Sequence, residues 1–140
     1  MTLAYNYSDF AFIYTDGSKS KMENITNVGS AVHIPDVELT LKWKLNANHS
    51  VIASELFAIL QALRWIIRHA QARSKYVICS DSLSGLQLVS QIKPATYKDL
   101  IYKIHYCLEQ IRTSNITIRL QWTPAHCGIA GNEEADDAAK

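Results

Sequence analysis

Asp16, Glu55, Asp81 and Asp136 are the positions whose residue types and settings could do chemistry together. Asp16 stands in "IYTDGS" at the end of an apolar run, and Asp81 in "CSDS" after another. Glu55 lies in "ASELFAI" and Asp136 in "EEADDAAK". Each has an ordinary local account. Asp16 before Gly17 favours a turn, and Asp81 before Ser82 could cap a helix. Glu55 could be a solvated helix residue, although Ala53, Leu56 and Phe57 crowd it, and Asp136 sits in an acid-rich helix start of the kind the dipole favours. Together the four are harder to explain, because separately capped elements have no reason to aim their acids at one point. Carboxylates that do converge supply hard oxygen donors.

The elements that would position them follow from periodicity. "FAFIYT" (10–15) is apolar throughout, as a strand covered on both faces should be. A polar turn, "DGSKSKMENITN", separates it from a second strand, "VGSAVHI" (28–34). Residues 37–45, "VELTLKWKL", alternate as a one-sided third strand joined through Pro35 and Asp36. Leu56, Ile59, Leu60, Leu63 and Ile67 then repeat at helical spacing, with Ser50 as N-cap. "YVICS" (76–80) is a short buried strand ending at Asp81, and "LSGLQLVSQI" a helix stopped by Pro94. Leu100, Ile104, Leu108 and Ile111 mark another helix, "ITIRLQW" (116–122) a fifth strand, and "EEADDAAK" the start of a last helix. The order βββαβααβα predicts an α/β domain: a five-stranded mixed sheet, antiparallel at one side and parallel at the other, with helices on both faces. Ligands of such sheets gather at the carboxyl ends of parallel strands, where Asp16 and Asp81 are each expected to close a strand.

Composition narrows the class. With 140 residues, 48% of them hydrophobic, residues 1–140 read as one domain. Fourteen basic residues against thirteen acidic leave a net charge of +1, so any nucleic-acid footprint must be local. Cys79, Cys107 and Cys127 lie far apart, without the close pairs of a zinc site or a disulfide framework, and read as reduced thiols of an intracellular protein, nuclear or cytoplasmic. "MTLAYNYSDF" lacks the basic start of a secretory signal, and "FAILQALRWII", interrupted by Gln61 and Arg64, is too short to span a bilayer, so no membrane partner is expected. The end at "ADDAAK", without a helix stop, suggests a domain cut from a longer chain.

"TDGS", "ASELFAI", "CSDS" and "TPAHCGIAGNEEADDAAK" occur in the order and approximate spacing of the ribonuclease H family, and the resemblance covers residues 10 to 140. "HCGIAGNEEAD" is the most specific piece and resembles the ribonuclease H domains of non-LTR retrotransposons. The resemblance implies a ribonuclease H-like fold. It places the family's metal-binding carboxylates on Asp16, Glu55, Asp81 and Asp136 and its mobile histidine on His126. His126 would then assist proton transfer or product departure, and Asn132 and Glu133 would support the site from behind the metal ligands.

The implied activity is hydrolysis of the RNA strand of an RNA–DNA hybrid by two-metal catalysis, leaving 5′-phosphates. Such hydrolysis needs the attacking water and the leaving 3′ oxygen stabilised at once, which two Mg²⁺ ions about 4 Å apart can do. Mg²⁺, with Mn²⁺ as a substitute, takes carboxylate and phosphate oxygens, whereas thiolate and imidazole suit zinc, so His126 and Cys127 are not counted as ligands. On this reading Asp16 bridges the metals and Gly17, in its turn, lets backbone approach substrate. Gly17 and Glu55 are the candidates for 2′-hydroxyl recognition, and Ser50 for a DNA-strand phosphate. Residues 82 to 125 carry only Lys93, Lys98, Lys103, Arg112 and Arg119, so a strong basic handle is missing and a reverse transcriptase domain in the same parent chain is the expected partner. A catalytically inactive hybrid-binding or interaction module on the same fold is the alternative, against which the complete acid set weighs. A DNA nuclease or transposase on the same fold is disfavoured by the Gly-Asn-Glu loop and the long third strand.

Overall fold

A computed structural model describes residues 9–70, 74–124, 135 and 137–140. Its elements are β1 (Ala11–Met22), β2 (Ile25–Ile34), β3 (Leu39–Leu45), α1 (Val51–His69), β4 (Lys75–Ser80), α2 (Leu83–Val89), α3 (Lys98–Thr113) and β5 (Thr117–Trp122). Ala135 and residues 137–139 are helical as well. The strands form one sheet in the order β3-β2-β1-β4-β5. β1, β2 and β3 pair antiparallel, while β4 runs parallel to both β1 and β5. This is the mixed sheet that the element order predicts.

Side chains alternate across the sheet, so each strand feeds two layers. Ile13, Val32, Ile34 and Ile78 point to the face on which α1 lies, and pack with Leu56, Ile59, Leu60, Leu63 and Ile66. α3 closes this layer through Ile101, Ile104, Cys107 and Ile111. At about 1.5–3 kcal/mol per large apolar side chain removed from water, this cluster dominates the stability of the fold. Tyr14, Val77 and Cys79 point the other way and pack under Ala135. Both faces of the sheet are therefore covered by helix. Cys79 and Cys107 are buried free thiols, and burial pushes the Cys79 thiol up to about 12.

Three local expectations are corrected. The polar stretch after Asp16 is not a turn: β1 runs on to Met22, paired with β2 down to Met22–Ile25. Glu23 and Asn24 make the two-residue turn, both at positive φ (51° and 67°), the geometry that matches strand twist. Asp16 consequently lies within a strand, not at its end. Val37 belongs to a 3₁₀ turn, Pro35–Val37, and is exposed, so β3 starts at Leu39. In α1 it is Ile66, not Ile67, that faces the core; Ile67 is 40% exposed.

Candidate active site

Asp16 sits one residue beyond the last parallel pair between β1 and β4, Thr15–Ser80. It therefore stands where parallel pairing ends, although β1 itself continues antiparallel to β2 through Asp16–Ala31. Asp81 follows Ser80, the last residue of β4, so the two aspartates stand at the same level on neighbouring strands. The Thr15 hydroxyl donates to the Cys79 carbonyl (3.4 Å), tying the strands together just below them. Asp16 is only 5% exposed, and the Gly17 amide donates to its Oδ1 at 2.9 Å. A carboxylate this deeply buried carries a desolvation cost that a turn residue would not need to bear.

Glu55 comes to the same place on α1. Helix and strand approach so closely that a Cβ on Gly17 would stand 2.5 Å from the Glu55 amide nitrogen and 2.6 Å from the Ser54 carbonyl carbon. Gly17 is thus explained by helix packing against a strand, not by a turn. Two buried hydroxyls hold the helix start there: Ser30 donates to the Ser54 carbonyl (2.5 Å) and Ser54 to that of Val51 (2.6 Å). Burial raises the Glu55 carboxyl above the usual range; a hydrogen bond from Ser82 works against this, and the Asp81 charge adds to it.

Ser82, not Asp81, caps α2, which corrects the ordinary account of Asp81 as a helix cap and brings a serine to the candidate site. Its hydroxyl accepts from the Gly85 amide at 3.0 Å, capping α2, and lies near enough to the Glu55 carboxyl to pull its pKa down. Its own amide donates to the Ser80 hydroxyl at 3.1 Å. One residue thus couples the end of β4, the start of α2 and the helix acid.

Ser50 is the N-cap of α1, accepting from the Ala53 amide at 3.0 Å, and its hydroxyl pairs with that of Tyr97 at 2.8 Å. It opens on a cleft of about 690 Å³ lined also by Asn48, His49 and Lys98. Asp136, His126, Asn132 and Glu133 lie outside the described residues. The structure brings Asp16, Glu55 and Asp81 to one end of the parallel strands. Among the described residues no group of three His, Cys, Asp or Glu side chains is close enough to hold a metal ion.

A mixed α/β sheet with acids where its parallel pairing ends and on an abutting helix has its candidate ligand site at the carboxyl edge of the sheet. Residues 9–140 match the RNase H family, and the chain belongs to that family, whose general activity is nucleic-acid hydrolysis on RNA–DNA hybrids. A chain from the structure of the foamy viral protease-reverse transcriptase in complex with dsDNA shares the fold, with a TM-score of 0.70 at 20% identity over 99% of this chain and 96% of that one. No curated protein matches the sequence. Among the described residues no helix is long and apolar enough to cross a membrane.

Proposed function

We propose that this chain is a catalytically active ribonuclease H, an endonuclease that cuts the RNA strand of RNA–DNA hybrids with two divalent metal ions, Mg²⁺ in the first place. One observation carries the reading: Asp16 is a carboxylate buried to 5% exposure at the point where β1 and β4 part, level with Asp81 and next to Gly17, which abuts the Glu55 backbone. The donor set fits the ions in kind, since hard carboxylate oxygens on three elements suit a cation that keeps several waters and needs few protein ligands. Asp16, Glu55, Asp81 and Asp136 would hold them, and bound there they would supply an activated water and stabilise the leaving oxygen.

The chain's own residues do the rest. Gly17 directs its amide to Asp16 Oδ1 and keeps that carboxylate oriented. Ser82 fixes Glu55. His126 handles the proton, Asn132 and Glu133 support the site, and the Gly17 backbone and Glu55 meet the 2′-hydroxyls of the RNA. Ser50 takes a DNA-strand phosphate, its hydroxyl proton remaining free for that whenever Tyr97 is the donor of the pair they form. The domain works in an intracellular, reducing setting as part of a polyprotein that also carries a reverse transcriptase.

A labelled RNA–DNA duplex should be cut in Mg²⁺ or Mn²⁺ to give 5′-phosphate ends, with no cutting in EDTA or of the same sequence as DNA duplex. Asp16→Asn, which keeps the shape and removes the charge, should lower the rate by at least ~10³-fold. Near-normal cleavage by that variant would defeat the site assignment, and a wild-type chain that binds hybrid without cutting it would leave only the binding module.

A further inference from the structure

The register places two lysines on the sheet face that carries Asp16. Asp16 on β1 lies opposite Ala31 on β2, and Ala31 lies opposite Lys42 on β3. Two residues along, Ser18 lies opposite Gly29, and Gly29 opposite Lys44. Neighbouring strands are about 4.8 Å apart, so Lys42 starts roughly 10 Å from Asp16 on the same face, and the two lysines follow each other at about 6.8 Å along the edge. The other side of β3 is spoken for: Leu39, Leu41 and Trp43 pack toward α1, with Trp43 edge-on to Phe57 at 5.8 Å.

Lys42 and Lys44 are exposed, and among the described residues neither has an ion-pair partner. Both line a cleft of about 480 Å³, together with Ser18, Gly29, Ala139 and a third lysine, Lys140. No Asp or Glu lines it among the described residues. The cleft begins two residues from Asp16, since the Ser18 hydroxyl donates to the Ala139 carbonyl (2.5 Å) at its wall. Two unpaired like charges set side by side repel one another, so a polyanion that bridges them gains at both.

We propose that Lys42 and Lys44 form a phosphate track that holds the backbone of the hybrid a few nucleotides from the cleavage point. The track rests on the substrate reading above and adds the surface that residues 82 to 125 do not provide. A nucleic-acid strand advances about 3.4 Å per phosphate along its axis, so a reach of ~10 Å from Asp16 is a matter of a few steps. Lysines are point charges that meet phosphates without reading bases, so the track positions the hybrid without sequence preference.

The test is hybrid binding against salt in EDTA, by fluorescence anisotropy, alongside cleavage in Mg²⁺. Lys42→Gln/Lys44→Gln should flatten the log K against log salt slope by close to two contacts, about 0.9 each, and weaken hybrid binding about tenfold or more, while Lys42→Arg/Lys44→Arg restores both. Lys103→Gln, on the helix layer of the other face, should leave the slope as it is. Both track positions are solvent-exposed, and the single variants, each losing about one contact, serve if the double variant folds poorly. An unchanged slope with a lowered melting temperature would overturn the track and leave the lysines as guards of the sheet edge or of the last helix end. A wild-type chain that fails to cut hybrid, yet loses the slope in the variant, would overturn the proposed activity and keep the track; one that binds no hybrid would overturn both.

Discussion

Glu55 shows how a single residue carries opposing demands. Its carboxyl is raised first by burial and then by the charge of Asp81, with the Ser82 hydroxyl pulling the other way. An acid whose pKa is raised in the fold stabilises that fold below its unfolded value, here 4.5, and that contribution is lost as pH rises through the raised value. At neutral pH and without metal, ionised Glu55 therefore works against folding. Glu55→Gln should raise the melting temperature in EDTA at pH 7 by a few degrees, equivalent to at most ~1 kcal/mol because the side chain keeps part of its surface in water. The gain should close below about pH 4, where both variants are neutral. Melting below wild type at pH 7 would show that the carboxylate holds the fold together. The same variant should lose hybrid cleavage, the familiar exchange of stability for function. Asp16 and Asp81 were visible because an acid after an apolar run is conspicuous, and Glu55 because apolar residues crowd it. Sequence could not show that Ser82 comes near Glu55 across elements, because a polar residue before a helix is expected in any case.

At the scale of elements, what was legible depended on burial. α1 could be read because its buried positions recur at helical spacing, with Ser50 capping as expected. The second half of β1 could not, because residues 19–22 are exposed and held by the ladder to β2 rather than by any apolar stripe. Periodicity reports packing, and a solvated two-stranded ribbon has none to report. Ile66 and Ile67 were confused for a related reason, since adjacent isoleucines fit either side of one stripe. Gly17 joins strand and helix in a way that only coordinates reveal: the backbone of Ser54 and Glu55 fills the place of its side chain. Gly17→Ala should therefore lift the start of α1 away from β1, costing about 1–3 kcal/mol as overpacking does. Because Glu55 rides on that helix, hybrid cleavage should fall with stability, where an alanine at an exposed site such as Lys103 changes neither. Unaltered melting in Gly17→Ala would mean that the helix yields freely and does not fix Glu55.

The whole molecule is close to neutral, at +1, so its grip on a polyanion depends on where its fourteen cations stand. Arg112 is bound to Glu109 and Lys75 to Asp9, which removes two of them from any groove. The helical interval offers scattered charges, and the sheet face offers Lys42 and Lys44 two strands away from Asp16. Binding to a hybrid should accordingly rest on about three to four phosphate contacts, each contributing ~0.9 to the salt slope, with affinity no tighter than about 10⁻⁶ M near physiological salt. Such weakness is no handicap inside a longer chain, where a neighbouring domain that holds the hybrid raises its effective concentration at the acids. Fusing a basic hybrid-binding module to the N-terminus should then lower KM far more than it raises kcat, because the module adds ground-state binding and leaves the site untouched. The measurement is steady-state cleavage of a labelled hybrid by the bare and fused chains, with anisotropy against salt for each. Nanomolar binding by the bare chain with a steep slope, or a fusion that raises kcat and leaves KM unchanged, would show that the domain already grips its substrate fully and is limited by chemistry alone.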